Sequence, residues 1–90
     1  MKEVEVKLLG PISQLIGKKR VSVKAETIED ILKSEELRQY LYRNNELNPF
    51  VRIYVNGKDI RFLGLDYKIR EGNEILILSA VGGGSSTIRR

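Results

Sequence analysis

Ninety residues, 41% of them hydrophobic and 31% charged, predict a single globular domain just large enough to fold around one small core. The chain contains neither cysteine nor histidine, which excludes thiolate nucleophiles, disulfides, metal sites of the Cys/His kind and imidazole acid–base catalysis by its own side chains. The net charge is +4, of which Arg89 and Arg90 supply two, so residues 1–84 are only mildly basic and lack the concentrated stripe of a dedicated nucleic-acid binder.

Val4, Val6 and Leu8 alternate with Glu3, Glu5 and Lys7, the period-two pattern of a strand with one buried face, and Leu9 then falls on the outward parity. Gly10-Pro11 breaks this strand, Gly17 to Arg20 forms a turn, and Val21, Val23 and Ala25 resume the alternation, so two strands with a long connection are expected. Thr27 followed by Asp30 resembles a capping box, and Ile28, Ile31 and Leu32 have helical spacing, which starts a helix near residue 28. Leu37, Tyr40 and Leu41 repeat that spacing, but Leu37 would lie about 180° from Ile28 on one straight helix. The chain must therefore reorient, with Ser34 the expected N-cap of a second short helix that Asn44-Asn45 and Pro49 end.

Val51, Ile53 and Val55 alternate with Arg52 and Tyr54, and Asn56-Gly57 supplies the left-handed pair of a tight hairpin leading into a short strand over 58–62. Residues 63–71 read as a polar connection, Gly72-Asn73 as a turn, and 74–81 as an almost wholly apolar strand whose character predicts a central place in the sheet. The order strand, strand, helix, strand, short strand, strand gives an α+β fold, a sheet with helix packed on one face. The domain is expected to span 1–81, followed by a glycine tail at 82–84 and a flexible extension at 85–90.

Nothing in this pattern resembles an export signal, and the apolar run from Ile75 to Val81 is far too short to cross a bilayer. With no cysteine, a reducing compartment is the expectation, hence a cytoplasmic protein without membrane contact. Glu29/Asp30 and Glu35/Glu36 lie where negative charge favours a helix dipole, and Glu3 and Glu5 lack the further ligands a metal site needs, so no metal is expected. Lys18-Lys19-Arg20 reads as a solvated loop.

Two features call for more. If Ile75 and Ile77 face the helix, Leu76 and Leu78 face outward, and Leu9, Tyr54 and Arg52 share that parity on their own strands. Together they would form an apolar patch with a polar rim, suited to docking a protein partner. Gly82-Gly83-Gly84 follows the last strand directly; three glycines contribute no packing, and a backbone that must thread a narrow slot explains them.

These residues resemble the MoaD/ThiS family of ubiquitin-like sulfur carriers. The resemblance spans 1–84 and rests on Val55 to Leu63, Gly64-Leu65-Asp66, Glu71 to Glu74, and Ala80-Val81-Gly82-Gly83-Gly84. It implies the ubiquitin-like β-grasp fold, with a mixed sheet, and is nearest the small subunit of molybdopterin synthase. It implies that Gly84 is the reactive residue. A ubiquitin-activating-type enzyme would adenylate its carboxylate with ATP, sulfur would convert it to a thiocarboxylate, and the large subunit of molybdopterin synthase would receive the charged tail. The chain itself would be no enzyme and bind no cofactor. Unlike the family's pattern, residues 85–90 follow Gly84, so a protease of the zinc metalloprotease kind is expected to cut after it. The alternatives are a ubiquitin-like modifier conjugated through Gly84 to target lysines, and a β-grasp RNA-binding module using Lys18, Lys19, Arg20, Arg89 and Arg90.

Overall fold

A computed structural model describes residues 2–79 of the chain. The elements run β1 (Lys2–Leu9), α1 (Pro11–Ile16), β2 (Arg20–Ala25), α2 (Ile28–Leu32), α3 (Arg38–Leu41), β3 (Tyr42–Arg43), β4 (Glu46–Leu47), β5 (Val51–Val55), β6 (Lys58–Asp59), a 3₁₀ turn at Ile60–Phe62, and β7 (Ile75–Ser79). The main sheet has the order β2-β1-β7-β5-β6; β1 and β7 are parallel and every other pair is antiparallel. The apolar strand β7 is central, as its lack of alternation requires.

One face of this sheet builds the core. Val4, Val6 and Leu8 of β1, Val21, Val23 and Ala25 of β2, Val51, Ile53 and Val55 of β5, and Ile75 and Ile77 of β7 are all buried. Ile12, Ile28, Ile31, Leu32, Leu37 and Leu41 from the helical segments join them in a single cluster. Each large aliphatic side chain placed there contributes about 1.5–3 kcal/mol relative to exposure, which is what holds five short strands and three short helices together.

Helix α2 begins as its sequence dictates. The Thr27 side chain accepts from the Asp30 amide at 3.3 Å while the Asp30 carboxylate accepts from the Thr27 amide at 3.1 Å and the Glu26 amide at 3.0 Å. The chain reorients after α2, so that Ile28 and Leu37 are both fully buried. Ser34, however, does not cap the next helix: its hydroxyl donates back to the Ile31 carbonyl at 2.8 Å, closing α2, and α3 starts four residues later at Arg38. A serine hydroxyl after a helix has both options, and here the carbonyls left open at the end of α2 win it.

Three further segments depart from the sequence reading. The connection between β1 and β2 contains a helix, α1, with Pro11 at its start, where proline's missing N–H costs nothing, and with Gly17 at φ 85° as its left-handed C-cap. Asn44 and Asn45, expected only to end a helix, adopt φ 54° and 66° and turn a small hairpin in which Tyr42 pairs with Leu47. The strand after Asn56-Gly57 stops at Asp59, whose carboxylate accepts from the Arg61 amide and starts the 3₁₀ turn. The expected strand end at 80–81, the glycine tail and the extension lie outside the described residues.

Candidate functional site

The outward face of the sheet brings the five residues assigned to docking into one grid. Leu9 of β1 is in register with Leu78 of β7, which is in register with Arg52 of β5; one step along, Lys7 pairs with Leu76 and Leu76 with Tyr54. Neighbouring strands lie about 4.8 Å apart, so Leu9, Leu76, Leu78 and Tyr54 form one continuous surface. Leu9 is 51% exposed, while Leu76, Leu78, Tyr54 and Arg52 are half-buried against one another. The alternation that predicted this face is the same that placed Ile75 and Ile77 in the core: on a central strand, one parity must go out if the other goes in.

The rim is polar and held in place. Arg52 donates to the carbonyls of Pro49 and Val51, which ties its guanidinium to the start of β5. Asp59, opposite Tyr54, is engaged by Arg61 at 2.9 Å, and that hydrogen bond and charge hold its carboxyl below the usual carboxylate range while raising the Arg61 guanidinium. Among the described residues no group of acids gathers where it could hold a metal ion.

At the end of β7 the structure shows an arrangement that the sequence reading missed. Ser79 is the one buried polar residue among those described, and its hydroxyl accepts from the Ile12 amide at 3.0 Å. Gly10, at φ 79°, lets the chain turn so closely over the end of β7 that a Cβ there would stand 2.7 Å from the Ser79 carbonyl oxygen and 3.3 Å from Leu78. Gly10 thus packs directly on the end of β7, against Leu78 and Ser79. The Gly-Pro pair is the signal that would have revealed this: it reads equally as a strand break and as the entry to a helix. Beside Ser79 a groove opens between α1 and α3, lined by Pro11, Leu15, Tyr40, Tyr42 and Val51.

Gly82, Gly83 and Gly84 lie outside the described residues. Lys18 and Lys19 are exposed beside β2, and Arg20 lies 3.8 Å from Glu5. No described helix is long and apolar enough to cross a membrane.

The profile of the ThiS family matches residues 6–84, from the middle of β1 to the third glycine of the run. The sulfur carrier protein CysO of Mycobacterium tuberculosis is 34% identical over 77 residues, covering 76% of this chain and 83% of CysO. Among solved structures, the small archaeal modifier protein SAMP1 from Methanosarcina acetivorans superposes with a TM-score of 0.74 at 29% identity, over 93% of this chain and 98% of that one. A chain of the BexX/CysO complex of Amycolatopsis orientalis gives 0.66 at 30% identity, over 89% and 98%. The architecture, the matched span and the relatives agree: the chain has the ubiquitin-like β-grasp fold and belongs to the ThiS family of sulfur carrier proteins.

Proposed function

We propose that this protein carries sulfur as a thiocarboxylate on Gly84, after the bond between Gly84 and Ser85 is cut. The observation that supports this most directly is the end of the family match at Gly84, the last residue of Gly82-Gly83-Gly84. A body without cysteine or histidine leaves its own terminus as the reactive group. An adenylating partner of the ubiquitin-activating type joins the Gly84 carboxylate to AMP and releases pyrophosphate. The outer sulfur of a persulfide on a partner cysteine then attacks the carbonyl and expels AMP. A second thiol cleaves the resulting sulfur–sulfur bond, leaving the thiocarboxylate on Gly84 and a disulfide on the partner. Glycine suits the position because a Cβ next to the reacting carbonyl would crowd the slot through which the tail passes.

In this reading Leu9, Arg52, Tyr54, Leu76 and Leu78 dock the body while the tail reaches the nucleotide, which keeps the reactive end at high local concentration. ATP belongs to the activating partner and not to this chain. The destination is molybdopterin synthesis, an assignment resting on the length of the chain and on the likeness of the Asn56-Gly57 hairpin and the following Asp59 to Leu63 to the molybdopterin-synthase small subunit. Chains ending at Gly84 and at Arg90 are incubated with the host's adenylating enzyme and ATP, and the acyl-adenylate is read by mass. Only the shorter chain reacts; equal reaction of both removes the processing step, and reaction of neither removes the carrier role. Supplying the thiocarboxylated chain to a molybdopterin-synthase large subunit with the pterin precursor tests the destination.

The likeness to SAMP1, whose name is that of a modifier protein, supports a second use of the same activated Gly84: an isopeptide bond to a target lysine. Conjugates that survive denaturant and excess thiol report that outcome.

A further inference from the structure

The charges around the docking grid specify the chemistry of what it meets. Three carboxylates on the outward face of the sheet each stand beside a cation, while Glu74, just before β7, is exposed and makes no ion pair among the described residues. Glu3 stands directly opposite Lys24 across the β1–β2 ladder, Glu5 lies 3.8 Å from Arg20, and Asp59 is bound by Arg61. Two cations remain. Among the described residues neither Lys7 nor Arg52 makes an ion pair, although both border the leucines: Lys7 is in register with Leu76, Arg52 with Leu78. They occupy opposite corners of the grid, two strands and two residues apart, which places their Cα atoms about 12 Å from each other. Five of the chain's twelve acids are gathered elsewhere. Glu26, Glu29, Asp30, Glu35 and Glu36 lie within eleven residues around α2, whose buried side packs on the opposite face of the sheet.

Resting on the docking reading above, we propose that this face recognises an acidic protein surface on the adenylating partner: an apolar patch for Leu9, Leu76, Leu78 and Tyr54, flanked by two carboxylates about 12 Å apart that pair with Lys7 and Arg52. A charge on the rim of an apolar contact steers encounter and rejects wrong partners more than it adds affinity. With acids around α2 and unpaired cations on the docking face, the carrier approaches such a surface with its sheet forward. An enzyme whose corresponding surface is basic would turn it away, so the cation pair selects among adenylating enzymes of similar shape.

The test uses carrier ending at Gly84, the host's adenylating enzyme and ATP, with pyrophosphate release followed as carrier concentration is varied. The double variant Lys7→Glu/Arg52→Glu raises KM for the carrier by at least about 30-fold, and the neutral pair Lys7→Gln/Arg52→Gln by about 5- to 10-fold. Lys24→Glu, on the same face but at the sheet edge, leaves KM within about twofold. Added salt raises KM of the native carrier more steeply than that of the neutral pair. Far-UV circular dichroism establishes that each variant is folded, and the neutral pair decides the matter if the reversed pair is not. Native KM in the neutral pair, or a salt dependence it shares with the native carrier, overturns the proposal while leaving the carrier role standing. A native carrier that is never adenylated removes the carrier role itself, and the proposal with it.

Discussion

The backbone amide of Ile12 donates a 3.0 Å hydrogen bond to the hydroxyl of Ser79, joining the first turn of α1 to the last described residue of the central strand. Both residues are buried, so the bond forms away from water. Ser79→Ala leaves the Ile12 N–H unsatisfied and destabilises the fold by about 1–3 kcal/mol. Chemical denaturation measures this; a loss below about 0.5 kcal/mol shows that solvent reaches the amide.

Gly10 makes the same junction possible from the backbone side. Gly10→Ala sets a side chain at φ 79° and ψ −162°, a region essentially reserved for glycine, and drives its Cβ to 2.7 Å from the Ser79 carbonyl oxygen. We expect a loss of at least about 2 kcal/mol. Gly17→Ala is the comparison: it is also left-handed, at φ 85°, but nothing lies within 4 Å of an added Cβ, so its cost is smaller. Equal costs at the two positions, measured by thermal unfolding, would contradict the close approach.

Leu78 sits at the centre of the proposed docking grid, between Leu9 and Arg52. Leu78→Asp places a charge in the apolar patch and raises the carrier's KM with its adenylating enzyme by more than about tenfold, the scale of an interface hot spot. Phe62→Ser changes a side chain that is 80% exposed and lies off the grid, and leaves KM unchanged. Similar effects of the two substitutions would mean that general surface hydrophobicity, not this grid, drives association.

Acid weakens the fold through Asp30 and Asp59. Backbone amides of Glu26 and Thr27 lower the Asp30 pKa, and the Arg61 side chain lowers that of Asp59, both from 3.8. A carboxylate whose folded pKa is depressed contributes stability above its unfolded pKa and loses it as pH falls through the folded value. These two groups therefore leave stability level from neutral pH to about 5 and erode it below about 4. Asp30→Asn flattens that acid limb in pH-dependent denaturation. Thr27→Ala removes the reciprocal cap and costs about 1 kcal/mol at neutral pH, and a measured change near zero would mean that α2 does not depend on its cap.

Much of this molecule was legible in its residues. Alternation in β1, β2 and β5 fixes which side chains face inward, and the continuous apolarity of β7 fixes its central place; both follow from burial, which sequence records directly. The outward cluster of Leu9, Arg52, Tyr54, Leu76 and Leu78 was legible for the same reason, since parity on three strands determines it once they are neighbours. What stayed hidden depends on contacts between distant residues. Ser79 is an unremarkable hydroxyl until Ile12 is folded against it, and Gly10-Pro11 reads as a break until β7 is seen to need the space. Ser34 had two helix ends to serve, and local propensity does not decide between them. Asn44-Asn45 carries a turn signal of the same kind as Asn56-Gly57, but without long alternating flanks a hairpin there cannot be told by sequence from the end of a helix.

The parallel pairing of Val6 through Leu9 with Ile75 through Leu78 has a mechanical consequence. Tension applied beyond Ser79 runs along β7, which is bonded to β1 on one side and β5 on the other, so the two ladders are loaded together in shear and do not unzip bond by bond. A partner that draws the end of this chain into a deep cleft, or a protease that pulls on it before cutting, works against an anchored strand.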